Sequence, residues 1–404
     1  MILYNQEYYS LFNKYIPILF WFSIILCVSL ILCRGILKVA NPFWFTQPIF
    51  HYYNIYYWLF PNKIIHKNPP KLNKFVDTQN VKVINIYDAN QNILQSLCSF
   101  IKNNYLQSNI SKYNPGYSHI VDYLYGSNHP SYICIYRNPC SNDITGATTT
   151  RVLDVKLPNN TSMPTYYVDH LCVSTHFRKK DIAPKLIQTF YYLVSRRNKN
   201  VNTYFFKREG KLMNIVPLTK YITYGYKADT IASLYNKTLS NLHSQQIEQI
   251  NETNTMDIWH FIEKIQLNYK ISIKPCFSMF KNIIKHKLYN VYVRKEGNVI
   301  QDVYIIKDCA TTYYDEPCIE VIASISGKNK EAYIQGCVKS IDMACKMLCA
   351  KNVFIENIGD TTLFVDYLKQ HRSLKSIFTQ SPTAYYFYNY VIRSIHSKHC
   401  FILT

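Results

Sequence analysis

The chain has 404 residues, 48% hydrophobic and 15% aromatic, which suffices for a packed core and excludes a disordered polymer. Its 45 Lys and Arg against 25 Asp and Glu leave a charge of +20, a balance that calls for an anionic partner. The 10 glycines form no G-x-G, no G-x-x-x-x-G-K-[ST] and no G-x-S-x-G, which excludes dinucleotide-fold oxidoreductases, P-loop NTPases and α/β-hydrolases.

Tyr15 to Cys33 carry no charge. As a helix at 1.5 Å per residue such a run spans about 28 Å, close to a hydrocarbon core. An uncleaved membrane anchor is expected. A cleaved signal peptide fits less well, because the run is long, the preceding segment holds Lys14 against Glu7, and Arg34-Gly35 is a poor cleavage site. A buried core helix is the other alternative. Arg34, Lys38, Lys63, Lys67, Lys71 and Lys74 follow the run, so a single-pass protein with its body in the cytosol is expected. Sequons at Asn109, Asn159, Asn160, Asn236 and Asn251 argue the other way, but so Asn-rich a chain produces them by chance. The 13 cysteines are odd in number and lack any C-x-x-C, as free thiols in a reducing compartment would be. His396, His399 and Cys400 have no second half, so no metal site is expected.

A tail (1–14) and the anchor (15–33) precede a connector (34–75) that ends near Pro69-Pro70. Two halves then follow, 76–235 and 236–404. In the first, the apolar spacing predicts a helix over Leu94–Leu106, strands at Tyr132–Tyr136, Ile144–Leu157 and Tyr166–Val173, and a helix over Ala183–Arg197. In the second, a helix near Met279–Lys287 leads to strands at Val291–Arg294, Asp302–Lys307 and Cys318–Ser326, a helix over Glu331–Cys349 and a strand at Val353–Ile358. The fold class expected is mixed α/β, with two copies of one plan.

The most informative stretch is Tyr166 to Pro184, where an apolar strand enters the turn Arg178-Lys179-Lys180-Asp181 and the turn opens a helix with Pro184 in its first turn. Free amides at a helix start beside three cations suit a pyrophosphate, although a solvated basic loop has the same spacing. Arg178-x-x-x-x-Ala183 echoes the acyl-CoA turn of acetyltransferase-type folds, with Asp181 where their glycine stands. His170–Ile187 then resembles the F-L-C-V-H-x-x-L-R-S-K-R-L-A-P-x-L-I signature of the N-myristoyltransferases. Phe43-Trp44-Phe45-Thr46-Gln47-Pro48 resembles their F-W-x-T-Q-P, and Asn103-Asn104-Tyr105 their E-N-Y. Ala344-Cys345-Lys346 with Val353-Phe354, Tyr386–Tyr390 and the apolar end Phe401–Thr404 are similar to later family segments in the same order.

The resemblance implies two fused acetyltransferase-like halves in one saddle-shaped body, acting as a monomer on a long-chain acyl-CoA, expected to be myristoyl-CoA, and on proteins with an N-terminal glycine. By position, Phe43 and Trp44 would lie against the acyl-CoA, and the backbone N–H groups of His170 and Leu171 would form the oxyanion hole. Cys172 and Val173 would line the cofactor strand, and Arg178, Lys179, Lys180, Asp181, Ile182 and Ala183 would form the pyrophosphate turn. The carboxylate of Thr404 would be the general base. The amine must lose a proton and the intermediate carries an oxyanion, so neither metal nor resident cofactor is required. Cys172 as an acyl-accepting nucleophile is the alternative mechanism, with His170 two residues away. The acidic loop that follows E-N-Y in the family is here Leu106-Gln107-Ser108-Asn109, so the peptide preference is expected to differ. An acyl-CoA-binding protein without turnover remains open. So does a basic nucleic-acid-binding protein, although no RNP-type motif or zinc finger supports it and no nucleic acid is expected.

Overall fold

A computed structural model describes residues 2–40, 42–238, 247–370 and 377–404. The chain opens with α1 (Ile2–Ala40), α2 (Pro42–Phe45), α3 (Ile55–Leu59) and β1 (Lys63–Ile64). The first half continues with β2 (Val81–Asn85), α4 (Gln91–Asn104), β3 (Ser111–Tyr113), β4 (Tyr132–Arg137), β5 (Ile144–Lys156) and β6 (Ser162–Val173). Then come α5 (Ile182–Arg197), β7 (Tyr204–Glu209), β8 (Thr219–Lys227) and α6 (Ala228–Thr238). The second half begins with β9 (Ile247–Gln249), α7 (Thr255–Ile265), β10 (Ile271–Lys274) and α8 (Phe277–Lys285). It runs on through β11 (Tyr289–Glu296), β12 (Val299–Tyr313), β13 (Glu316–Ile325), α9 (Lys330–Leu348) and β14 (Asn352–Glu356). The last elements are α10 (Thr361–Gln370), β15 (Ile377–Tyr388), β16 (Tyr390–Val391) and β17 (Cys400–Ile402).

The two copies expected from the sequence are present. Strands β4, β5 and β6 form an antiparallel meander, α5 crosses over, and β7 returns parallel to β6. Strands β11, β12 and β13 repeat the meander, α9 crosses over, and β14 returns parallel to β13. The following strands then change sides: β8 pairs with β14, β15 pairs with β7, and β8 and β15 pair with each other. All the described strands except β1 and β16 thereby join one continuous sheet.

Local signals explain the helices. Asn90 and Asn329 cap α4 and α9, each side chain accepting a backbone N–H three residues on, which satisfies one of the orphan donors at a helix start. Helix α5 buries Ile182, Leu186, Phe190 and Val194 against Tyr166 and Tyr204, and α9 buries Tyr333, Cys337, Ile341 and Ala344 on the other half. Each large apolar side chain so buried contributes about 1.5–3 kcal/mol.

The N-terminal helix is longer than the anchor expected over 15–33, running from Ile2 to Ala40; Met1 lies outside the described residues. Its 22-residue stretch Tyr15–Ile36 is the one segment among the described residues long and apolar enough to cross a membrane, and none of it is buried against the body. The connector returns to the body where β1 pairs antiparallel with β16.

Candidate active site

Strands β6 and β7 are neighbours only at the rungs Tyr166↔Tyr204 and Tyr167↔Phe205. Beyond Tyr167 they part: β7 stays with β15 as far as Glu209, while β6 stays with β5 as far as Val173. The result is a wedge whose two facing edges carry backbone groups not used between these strands. On its other side β6 is bulged, because Ala147↔Cys172 is followed by Thr149↔Asp169, so Thr148 opposes both His170 and Leu171. His170 takes a left-handed backbone conformation there, at φ 52°. Holding a non-glycine residue in that region costs of order 1–3 kcal/mol, and such strain clusters at functional sites.

The surroundings over-determine the bulge. Thr148 Oγ1 donates to the Asp169 carbonyl at 2.9 Å, and Thr149 Oγ1 lies 2.8 Å from His170 Nδ1. Tyr113 OH is 3.2 Å from His170 Nε2, and the Tyr105 ring meets the imidazole edge-on. Burial pushes the His170 pKa down despite the neighbouring Asp169. Asp169 accepts the His170 backbone N–H at 2.8 Å and lies 3.8 Å from the buried Arg151. Burial opposes ionisation of Asp169, but His170, Arg151 and Lys307 together hold its pKa below the ordinary carboxylate range. One of the two amides expected to form an oxyanion hole is thus occupied by a carboxylate. Leu171 lies at the bulge with an exposed apolar side chain.

Cys172 packs with Leu97, Ile133 and Ala147. Burial, only weakly opposed by Arg178, pushes its pKa up to about 12. Both nitrogens of His170 have other partners, Tyr113 OH and Thr149 Oγ1, so its ring is not aimed at this thiol. Cys172 is a packing residue of the strand.

Past Val173 the chain makes the expected basic turn. Lys179 and Asp181 adopt left-handed conformations, at φ 64° and 56°, and α5 begins without a side-chain cap. Its first N–H groups are therefore left for another acceptor. Arg178, Lys179 and Lys180 are exposed, and among the described residues no carboxylate pairs with them. Gly146 allows this helix start to sit close to β5, since a Cβ there would lie 2.7 Å from Ile182 Cγ2. Ile182 is buried beneath the turn, and Ala183 and Val173 are half-buried. Phe43 is buried edge-on against Trp44 and Phe75, while Trp44 stacks on Phe206, the β7 residue just past the last shared rung. Asp77, two residues after Phe75, is held to α5 through Lys185 at 3.0 Å.

The C-terminus returns into the core as its apolar sequence suggests. Strand β17 pairs parallel with β10, and Phe401, Ile402 and Leu403 are buried. Thr404 is buried as well: its main-chain oxygen accepts from Tyr289 OH at 2.9 Å, and its Oγ1 is 3.0 Å from Tyr385 OH. Tyr385 in turn stacks on Phe205 at 5.0 Å, and Phe205 occupies the last rung shared with β6. Burial raises the pKa of both tyrosines, so they remain hydrogen-bond donors toward the tail.

The same face of the sheet carries charges that the sequence reading missed. Lys207 reaches Glu209 at 2.6 Å, Glu320 at 3.2 Å and Glu356 at 2.5 Å, supplying the cation among three carboxylates. Burial pushes Glu356 up to about 7, the coulombic pull of Lys207 notwithstanding. Glu320, Glu356, Lys207 and Lys307 each interrupt an apolar strand run, which was the available signal; their convergence depends on strand order.

No protein-family profile and no curated protein matches the chain. Solved structures do. A Saccharomyces cerevisiae N-myristoyltransferase with bound myristoyl-CoA aligns with a TM-score of 0.68 at 14% identity, over 88% of this chain and 94% of that one. A second structure of the same enzyme with myristoyl-CoA gives a TM-score of 0.70 at 13% identity, over 90% and 94%. A third, with myristoyl-CoA and inhibitors, gives 0.67 at 14%, over the same shares. This chain has the N-myristoyltransferase fold. The fold expected from the strand, turn and terminal motifs is therefore present across nearly the whole body. His170, Leu171, Cys172 and Val173 lie along the β6 edge of the wedge, and the turn 178–183 follows that edge in the chain. Trp44 stacks on Phe206 of the β7 edge with Phe43 beside it, and Thr404 is linked to the vertex through Tyr385 and Phe205.

Proposed function

We propose that this protein is an N-acyltransferase that moves a long-chain acyl group, myristoyl by preference, from coenzyme A to the N-terminal glycine amine of a protein. The observation that carries the reading is the parting of β6 and β7, with an uncapped basic helix start at the open end and a buried C-terminus at the vertex. In this reading the pyrophosphate sits on the turn 178–183, and the pantetheine arm completes the edges of the wedge in place of the missing strand pairing. The acyl chain passes Phe43, Trp44 and Val173. Leu171 N–H, joined by His170 N–H once Asp169 releases it, receives the oxyanion. Each such donor is worth roughly a hundredfold or more in rate. The Thr404 carboxylate takes a proton from the attacking amine as the carbon–nitrogen bond forms. The tetrahedral intermediate collapses with breaking of the carbon–sulfur bond, and the departing thiolate of coenzyme A takes up that proton.

A second reading is favoured by one observation: the Asp169 carboxylate on the His170 N–H opposes a developing anion there. On that reading the chain binds acyl-CoA without turning it over. Incubation of the full-length protein in detergent with labelled acyl-CoAs and Gly-starting peptides separates the two. Acyl-peptide supports transfer; bound acyl-CoA without product supports the second reading; neither binding nor product overturns both. We also propose that Tyr15–Ile36 spans a membrane with the body in the cytosol, a topology that glycosidase-sensitive mass at Asn159 in cells would reverse.

A further inference from the structure

We propose that the segment Tyr52–Phe60 is a second membrane contact, lying in the headgroup layer of the bilayer beside the N-terminal span. This goes beyond the acyl-transfer reading and rests on Tyr15–Ile36 crossing the membrane. The argument begins with Arg34, in the last turn of that stretch. A guanidinium there belongs at the bilayer boundary, because its charge stays in water or among headgroups. Arg34 Cζ lies 5.5 Å from the Tyr53 ring and 5.8 Å from the Phe45 ring. Whatever touches Arg34 shares its depth, so Tyr53 and its neighbours lie at the boundary too.

The composition of that tip fits the place. Tyr52, Ile55, Tyr56, Leu59 and Phe60 are each more than half exposed. Five such side chains within nine residues make a patch, unlike the scattered apolar residues of an ordinary water-facing surface. The alternate residues face the protein: Tyr57 and Trp58 pack on Phe50, and Arg393 binds the Trp58 carbonyl from the body. Helix α3 thus presents one apolar, aromatic side outward while the other is anchored. Lys63 Nζ sits 3.5 Å above the Tyr56 ring, adding a cation to the same surface. Tyrosine, aliphatic side chains and lysine together are the composition of a membrane–water interface. A consequence is that Phe43 and Trp44, between the span and this tip, lie close to the bilayer surface, where an amphiphilic acyl-CoA concentrates.

The test uses the full chain in phosphatidylcholine vesicles containing a phospholipid with a photoactivatable diazirine at headgroup depth. After irradiation and trypsin, adducts are located by mass spectrometry on the peptides Tyr15–Arg34 and Val39–Lys63. Adducts within residues 52–60 as well as on the first peptide are expected, with loss of the 52–60 adducts when Ile55, Tyr56, Leu59 and Phe60 are all changed to Ser. Adducts on Tyr15–Arg34 alone would overturn the second contact and leave the span standing. Adducts on neither peptide would overturn the span and this inference with it. In none of these outcomes is acyl transfer at stake.

Discussion

Adding a single alanine after Thr404 tests the role of the terminal carboxylate. Phe401, Ile402 and Leu403 are almost wholly buried and pinned to β10, through the β17 pairing and the Leu403 N–H to Ile273 carbonyl bond at 2.8 Å. At about 1.5–3 kcal/mol per buried side chain, one appended residue will not extract the strand. It does move the carboxylate by one residue, about 3.8 Å, whereas proton transfer requires heavy atoms within roughly 2.6–3.2 Å. General-base catalysis contributes about a hundredfold to ten-thousandfold, or roughly 2.7–5.5 kcal/mol of barrier. Single-turnover acyl transfer should therefore slow by that factor, while acyl-CoA affinity measured by calorimetry stays within about twofold. The milder Tyr385→Phe removes one contact to Thr404, worth about 1 kcal/mol, and should slow the step about fivefold. An extended protein that folds, binds acyl-CoA and turns over at the original rate would refute the reasoning.

Replacing both Arg178 and Lys180 with Ala should weaken acyl-CoA binding by about 1–3 kcal/mol in calorimetry, with the melting temperature little changed, because both side chains are exposed. Cys172→Ala should keep turnover within a few-fold, and the natural chain incubated with acyl-CoA should show no acyl-enzyme by mass spectrometry, since the thiol is buried with a raised pKa; a thioester trapped on Cys172 of the natural chain would reverse this. Asp169 is ionised in the folded chain to a lower pH than in the unfolded one, so its contribution to stability is complete above about pH 4 and is lost as pH falls through the folded value. Thermal melts below pH 4 should accordingly fall more steeply for the natural chain than for Asp169→Asn, and parallel curves would show that Asp169 is not the group responsible.

Elements whose apolar spacing has one clear period were legible. Helices α4, α5 and α9 and strands β4 and β5 start within about three residues of their expected positions, because a helix stripe or a strand run is a property of local sequence. That two halves follow one mixed α/β plan was legible for the same reason, whereas the return strand β7 and the parallel pairing that closes each copy were not. Strand β15 was not, since Pro382 lies inside it and reads as a strand breaker; its pairing to both β7 and β8 overrides that signal. Helices α7 and α10 were missed as well.

Chemistry divides along the same line. The sequence alone established a basic strand-to-helix turn, an apolar tail, an uncharged run long enough to cross a membrane, and the absence of nucleotide-loop and hydrolase motifs, since each is read from neighbouring residues. Only the tertiary structure decided that β6 and β7 part after Tyr167, that a bulge holds His170 at positive φ with Asp169 on its N–H, and that Tyr289 and Tyr385 receive Thr404. The same holds for Lys207 among Glu209, Glu320 and Glu356, which come from three strands. These features depend on strand order and register across hundreds of residues. A hydrogen bond or an ion pair acts over a few ångströms, and the chain's own spacing cannot say which distant strands will lie that close.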